Sequence, residues 1–270
     1  MSRRILPGFG LSLGFTSAYL GVLVLVPVAA LVAHSAGLSW DEFVRATTGK
    51  RALLAYALSF GASALAALAA LALGLPIAWA LSRYRFPGRR LMDALIDLPF
   101  ALPTAVAGLA LTALYAPDGW FGSLLAPLGV RVAFTRLGVF VALTFISLPF
   151  VVRTLQSVID ELDAESEEAS ASLGAGRLTT LRRVVLPALR PALLTSFAMA
   201  FARGVGEYGS VVFISGNLPN RTEIAPLLIV TKLEQYDYAG AASIGVVMLT
   251  LSFLFLLAIN LLQRRAGARR

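Results

Sequence analysis

A charged pair interrupts an apolar stretch in the last third of the chain. Arg203 and Glu207 stand four residues apart, which places both side chains on one face of a helix. A charge inside an apolar stretch of membrane length is costly and has to face protein or water. The pair therefore admits two interpretations: a fixed positive site or gate beside a polar path, or an internal ion pair that only holds helices together.

Other residues that commonly carry chemistry are scarce. The chain has no cysteine, which excludes disulfides, thiol nucleophiles and thiolate metal sites. His34 is the one histidine, and a lone histidine is more typical of a helix end than of a metal ligand. Gly204–Gly209 is similar to a nucleotide-binding glycine pattern, but no strand precedes it. No Gly-x-x-x-x-Gly-Lys-Ser/Thr phosphate loop occurs, so we expect no such ATP site, and no residue constellation indicates an enzyme.

The composition is that of a protein that crosses a membrane several times. Hydrophobic residues make up 58% of the chain and charged residues 14%, with a mean hydropathy of +0.79. Soluble domains are roughly half apolar and about a quarter charged, and a spanning helix needs about 20 mainly apolar residues. Six runs satisfy that length: Ile5–Trp40, Ala52–Ser82, Leu98–Pro117, Leu137–Ile159, Pro191–Ser215 and Tyr238–Gln263. We predict an all-α bundle of six spans in one domain, residues 1–270.

The basic residues assign an orientation to these spans. The net charge of +8 does not indicate nucleic-acid binding, because the basic side chains form short clusters between apolar runs. Fourteen arginines lie on the side of the two termini, against seven lysines and arginines in the opposite loops. Cytoplasmic loops carry the excess of positive charge. We therefore expect both termini in the cytoplasm of a cell with this chain in its inner membrane.

The connection between the fourth and fifth runs, residues 160–190, has an organised sequence. It reads as a short helix, a glycine break at Gly174, a basic second helix and a proline-marked entry to the next span at Pro187. A short helix held across one face by two spans suits the groove of a soluble partner. The alternative is an ordinary helical hairpin.

The spacing in this connection resembles the signature loop of permease subunits of ATP-binding-cassette importers. Their pattern is Glu-Ala-Ala, a glycine four residues later, nine residues, then Ile-x-Leu-Pro. Ser170 replaces the second alanine and Val184 replaces the isoleucine. The predicted ATPase-coupling loop consists of five residues that match the pattern and of Ser170, which replaces its second alanine. These residues are Glu168, Ala169, Ser170, Gly174, Leu186 and Pro187.

Two further segments are similar to permeases for tetrahedral oxyanions, with the fuller match to sulfate/thiosulfate permeases. They are Arg83–Gly108, with its Asp-Leu-Pro-Phe-Ala-Leu-Pro core, and Ala202–Asn217. The resemblance covers the chain from Arg3 to about Gln263 and implies the type I importer permease fold. It also implies a second homologous permease subunit, a dimer of ATP-binding subunits that hold ATP and Mg²⁺, and a periplasmic sulfate/thiosulfate-binding protein. No cofactor is expected in this chain.

A dianion cannot cross hydrocarbon, so the path has to be a polar cavity between helices. Pro99, Pro103 and Gly108 are suited to break or kink the third span and expose backbone groups there. Thr104 and Ser147 offer hydroxyl donors, unless each bonds back to its own helix. Together with Arg203 and Glu207 they form the candidate translocation path or gate.

Two other functions stay open at this point. A molybdate or tungstate permease belongs to the same class, although those permeases are typically shorter and lack the first span. A passive channel or membrane scaffold would explain the spans but not the 168–187 spacing. The sequence does not rank sulfate against thiosulfate, nor a heterodimer against a homodimer.

Overall fold

The computed structural model describes residues 9–267, and across this range the secondary structure is helical with no strand. The helices, in chain order, are α1 (Phe9–Ser35), α2 (Trp40–Thr48), α3 (Lys50–Arg83), α4 (Arg89–Ala101), α5 (Thr104–Tyr115), α6 (Trp120–Leu125), α7 (Arg136–Glu161), α8 (Ala164–Ser172), α9 (Arg177–Thr180), α10 (Leu186–Val205), α11 (Val211–Ile214), α12 (Ala225–Glu234) and α13 (Tyr238–Gly267). A short 3₁₀ turn, Ala126–Leu128, follows α6, and a π turn, Leu181–Val185, joins α9 to α10.

Five of these helical segments are long and apolar enough to cross a membrane, and a bent pair raises the total to six within the described range. The predicted first, second, fourth and sixth spans correspond to α1, α3, α7 and α13. The all-α fold with up to six spans is therefore confirmed. The predicted boundaries of the first span extend on one side beyond the described residues.

The third predicted span, Leu98–Pro117, is not one straight helix. The chain bends by 114° between Arg89–Ala101 and Thr104–Leu128. The break falls at Leu102 and Pro103, because a proline ring disfavours helical backbone in the residue before it. Pro99 is accommodated inside α4. Since α5 has only 12 residues, about 18 Å of helix, it reaches only part of the way across the hydrocarbon.

The fifth predicted span, Pro191–Ser215, is displaced. The helical segment runs from Arg177 to Val205, and the chain then turns through Gly206 before the short helix α11. Pro187 lies in the first turn of α10, directly after the π turn, where the sequence predicts the entry to a helix.

The core consists of α3, α7 and α10, which pack on one another. Small residues on α3 let the neighbouring backbones approach closely, and Ala66, Ala67 and Ala70 are fully buried there. At mid-bundle the rings of Phe60, Phe201 and Phe255 join α3, α10 and α13.

Helix α1 lies at the edge of the bundle. It packs on α13 and exposes nearly every side chain in its length, as a lipid-facing helix does.

Ion pairs fix the ends of the helices. Arg51 at the start of α3 forms a bidentate pair with the buried Glu223, with both N–O distances at 2.7 Å. Asp237 caps α13 by accepting the backbone N–H of Gly240. The hydrogen bond from the Lys232 ammonium, followed by that from Gly240, lowers the pKa of the Asp237 carboxyl.

The close approach of α5 to the turn before α11 yields a test of this packing. A Cβ added at Gly108 would lie 2.4 Å from the carbonyl oxygen of Ser210, and backbone cannot move aside as a side chain can. We expect Gly108→Ala to destabilise the protein by about 1–3 kcal/mol, the usual effect of overpacking. The measurement is the midpoint of thermal unfolding of the purified, detergent-solubilised protein.

The matched control is Gly61→Ala in α3, where an added Cβ would meet nothing within 4 Å. This change should leave the midpoint unchanged or raise it, because alanine is the better helix former. Equal midpoints for the Gly108 and Gly61 variants would contradict the close packing of α5.

Candidate functional site

The predicted loop residues Glu168, Ala169 and Ser170 lie on α8. Only Leu162 and Asp163 separate α8 from the end of α7, and the Asp163 carboxylate accepts the Glu165 N–H at 3.0 Å. Asp163 is thus the N-cap of α8. The side chains of Glu168 and Ala169 are exposed.

Gly174 ends α8 in the left-handed backbone region, with φ of +80°. The N–H of Gly174 donates to the Ala171 carbonyl at 2.9 Å, and the N–H of Ala175 donates to the Ser170 carbonyl at 3.1 Å. These two hydrogen bonds together form the Schellman motif, which favours a residue without a Cβ at its left-handed position. The glycine break predicted at this position is therefore present.

The second half of the loop is basic and helical, as predicted. Helix α9 and the π turn carry Arg177, Arg182 and Arg183, and α10 begins with Leu186 and Pro187. The hydroxyls of Ser170 and Thr180 lie 3.0 Å apart and join the two halves. The serine that replaces the second alanine of the pattern thus has a structural partner.

Arg83, at the end of α3, braces the corner between α7 and α8. Its guanidinium donates to the Leu162 carbonyl at 3.1 Å and to Glu167 Oε1 at 3.0 Å, and lies over the Trp79 ring at 5.6 Å from its centre. From the sequence, Arg83 was one of the fourteen arginines on the side of the termini and the first residue of the Arg83–Gly108 resemblance. Its spatial role depends on a contact between residues 84 positions apart.

Apolar side chains are exposed on this loop despite its polar composition. Leu173 is 89% exposed and Leu178 is 57% exposed, on either side of the Gly174 turn. These two exposed leucines stand out on a loop of otherwise polar composition.

Arg203 and Glu207 form an ion pair, although they do not share a helix as predicted. Helix α10 ends at Val205, so Glu207 lies in the turn that follows. The Glu207 side chain is 2% exposed, and its second oxygen accepts the N–H and the hydroxyl of Ser210. The Arg203 side chain is 31% exposed, and among the described residues Glu207 is its one polar partner. Glu207 is therefore fully satisfied, whereas Arg203 keeps donors at the surface of the helix.

The two candidate hydroxyls occupy different surroundings. Thr104, the first residue of α5, lies against the Glu207–Ser210 turn: a Cβ on Gly209 would come within 2.2 Å of Thr104 Oγ1. Ser147 is 1% exposed and donates to the Ala200 carbonyl of α10 at 3.2 Å, rather than to its own helix. The structure brings Thr104 to the turn that contains Glu207 and places Ser147 at a helix–helix contact. Their role in a path stays a prediction.

A second charge cluster, which joins α4 to α7, was missed in the sequence. Arg153 of α7 binds Asp93 and Asp97 of α4, at 2.6 Å from Nη1 to Asp93 Oδ1 and at 2.8 Å from Nε to Asp97 Oδ1. The signal was present as two aspartates four apart on an amphipathic helix and an arginine within an apolar run. What the sequence did not indicate was that these elements would be neighbours.

The chain belongs to the family of inner-membrane components of binding-protein-dependent transport systems, whose profile matches residues 70–268. Curated relatives match almost the whole length. The sulfate transport system permease protein CysT of Salmonella typhimurium is 47% identical over 268 residues, which is 99% of this chain and 97% of that protein. CysT of Synechococcus elongatus is 52% identical over 249 residues, 92% of this chain and 90% of that protein. The resemblance to sulfate permeases is confirmed.

Solved structures share the fold. A bacterial ABC transporter that imports the acidic polysaccharide alginate superposes with a TM-score of 0.78 over 96% of each chain, at 16% identity. The MetNI methionine ABC transporter, in an inward-facing conformation, gives 0.60 over 85% of this chain and 99% of that one, at 18% identity. The predicted type I importer permease fold is confirmed.

The left-handed conformation of Gly174 can be tested by substitution. An added Cβ at Gly174 meets nothing within 4 Å, so a substitution there acts through the backbone alone. We expect Gly174→Val to destabilise the turn by about 1–2 kcal/mol, the cost of left-handed backbone for a residue with a Cβ. Hydrogen exchange of the Gly174 and Ala175 amides should then be about 5- to 30-fold faster, as measured by mass spectrometry.

Two further variants distinguish the effect of backbone conformation from the effect of side-chain size. Gly174→Asn should protect these amides nearly as glycine does, because asparagine tolerates this region. Gly176→Val should also be mild, since Gly176 has φ of −70° and an added Cβ there meets nothing within 4 Å. Equal exchange in all three variants would contradict the assigned turn.

Proposed function

We propose that this chain is the membrane-spanning subunit of an ABC importer that moves sulfate or thiosulfate into the cytoplasm. The observation that carries the proposal is full-length similarity to sulfate permeases, at 47% identity over 268 residues for the Salmonella protein. An overall likeness of that extent covers the spans, the loop and the charged clusters together.

The 160–190 loop supports a partner that supplies the energy. We infer that a dimer of ATP-binding subunits docks on α8 and α9, binds ATP with Mg²⁺ and hydrolyses it. The exposed Leu173 and Leu178 offer apolar anchors, and Arg83 holds the corner so that a push on α8 reaches α7. A helix rigidly joined to a span transmits force better than a loose loop does.

The remaining partners and the orientation follow from the same proposal. A second, homologous permease subunit completes the path, and a periplasmic binding protein for sulfate or thiosulfate delivers the anion. Both termini lie in the cytoplasm, on the side with fourteen of the basic residues, and the chain resides in the bacterial inner membrane.

Arg203 is the side chain best placed to meet a dianion. The buried Glu207 carboxylate binds Nη1 of Arg203, and the other N–H donors of the guanidinium have no polar partner among the described residues. An oriented arginine binds tetrahedral oxyanions through several parallel N–H groups. Thr104 is brought to the same turn through its contact with Gly209 and offers a hydroxyl donor nearby. We propose Arg203 and Thr104 as part of the path and Glu207 as the group that positions Arg203. The proposed role of Ser147 is limited to the helix contact with Ala200.

Uptake by cells tests the substrate directly. Expression of this chain with its partner subunits in a permease-null strain should restore uptake of radiolabelled sulfate. Excess unlabelled thiosulfate should compete, and molybdate should compete weakly. Preferential competition by molybdate would favour a molybdate or tungstate permease instead. Uptake that continues without ATP would indicate a passive channel.

The charged pair yields a second test. Arg203→Gln removes the positive charge and leaves Glu207 buried without its ionic partner, which costs about 3–5 kcal/mol for a buried pair. The double variant Arg203→Gln, Glu207→Gln removes that penalty. We expect the double variant to assemble normally yet to import sulfate at least about tenfold more slowly, the loss for about 1.4 kcal/mol of anion stabilisation.

The measurement is the initial rate of uptake per assembled complex, for both single variants and the double. Glu207→Gln alone should keep more activity than the double, because Arg203 retains its charge. Full recovery of transport in the double variant would refute a role in the path and leave the pair as a purely structural contact.

A further inference from the structure

Arg153 uses every donor of its guanidinium within the protein. Nε and Nη2 bind the two oxygens of Asp97, Nη1 binds Asp93 Oδ1 and Gln156 Oε1, and Nη2 also binds the Asp93 carbonyl. An arginine saturated in this way has no N–H left for a substrate, and the cluster with two aspartates carries a net negative charge. Arg153 is therefore unsuited to bind an anion, in contrast to Arg203.

The cluster is the polar half of the contact between α4 and α7. The apolar half is the buried Ile96 and an edge-to-face contact of Phe100 with Phe150, with ring centres 4.9 Å apart. The opposite side of α4 exposes Leu91, Leu95 and Leu98. Within the described part of the chain, α7 is thus the principal neighbour of α4, so the position of α4 depends on α7.

Both ends of this contact lead to functional elements. At one end, α7 passes into α8 through two residues, and Arg153 lies eight residues before the end of α7, about 12 Å along its axis. At the other end, α4 stops at the break formed by Leu102 and Pro103. Beyond the break, α5 starts with Thr104 against the turn that holds Glu207.

We propose that the cluster of Arg153, Asp93 and Asp97 is a transmission clamp, which makes α4 follow α7 when the ATP-binding subunits move α8. Movement of α4 then changes the bend at Leu102 and Pro103 and shifts α5 against the turn that positions Arg203. Arg153 is a positioning residue in this scheme, and the inference rests on the proposed function. The planar fork of arginine suits this role, because it fixes the direction of both aspartates as well as their distance.

The test uses the complete complex, reconstituted in lipid vesicles with its binding protein. The quantity measured is the number of sulfate ions imported per ATP hydrolysed, together with the amount of assembled complex. Arg153→Lys keeps the charge but loses the fork, and Asp97→Asn keeps the shape but loses the pairing. We expect either change to lower the ratio by about fivefold or more, within the range of measured coupling between protein sites, while ATP hydrolysis continues.

The matched control is Arg51→Lys. Arg51 also forms a bidentate pair, with Glu223, and its polar contacts within the described residues involve neither α4 nor α8. Its ratio should stay within about twofold of the wild-type value, because the pair lies outside the contact between α4 and α7 and sites without shared partners act independently. The charge swap Arg153→Asp with Asp97→Arg restores an ionic link between the helices and should recover part of the ratio. If Arg153→Lys and Asp97→Asn both leave the ratio of sulfate imported to ATP hydrolysed unchanged, the clamp is refuted. The cluster would then only stabilise the contact between α4 and α7, even if less complex assembles.

A measurement that does not depend on the substrate tests the clamp separately from the proposed function. Because the chain has no cysteine, Ala101→Cys introduces a single thiol at the end of α4. Its reaction rate with a membrane-impermeant maleimide should change when ATP is added to the complex, and Arg153→Lys should abolish that change. If the wild-type complex does not take up sulfate, the proposed function is refuted but the clamp is not. A maleimide response that persists in Arg153→Lys overturns the clamp.

Discussion

Hydrocarbon offers no hydrogen-bond partner, and this constraint explains the many polar contacts of Glu207 and Arg153 in the described structure. Glu207 is almost fully buried and receives three hydrogen-bonding or ionic contacts, from Arg203 and from the backbone and hydroxyl of Ser210. Arg153 fills all its donor positions with side chains and backbone of α4 and α7. A charge left without such partners would cost several kcal/mol. Arg203, with a single partner and partial exposure, departs from this rule, which is why we assign it the contact with the anion.

The same constraint explains why two broken helices meet. The break before α5 and the turn before α11 each leave backbone groups without helical partners. The two breaks pack together through Gly108 and Gly209, where the absence of a side chain lets backbone and Thr104 approach closely. In the turn, the Glu207 carboxylate takes over one of the unpaired N–H groups. The two interruptions therefore meet at one place in the described structure, and that place contains Thr104 and Glu207 of the candidate path.

The 160–190 loop lies outside the spans and is stabilised in a different way. Water satisfies its polar groups, so its stability comes from local devices: the Asp163 cap, the Schellman turn at Gly174 and the Arg83 brace. These devices hold the exposed leucines of the loop in a fixed position relative to α3 and α7. A rigid corner of this kind is what a soluble partner needs in order to move the spans.

Composition and residue spacing predicted an all-α bundle of six spans, the third of which is the bent pair, together with the loop, its glycine break and the family. They placed Arg203 near Glu207 but left their ion pair as one of two interpretations. These features depend on local composition and on spacing along the chain, which sequence displays directly. It misjudged the third and fifth spans, because hydropathy does not register a bend at Pro103 or an end at Val205 when apolar residues continue beyond it. The packing of the helices was needed to show that Ser147 bonds to α10, that Arg83 binds Glu167 and that Arg153 binds α4. Each of these contacts joins residues more than 50 positions apart, and no local pattern states which helices will lie side by side.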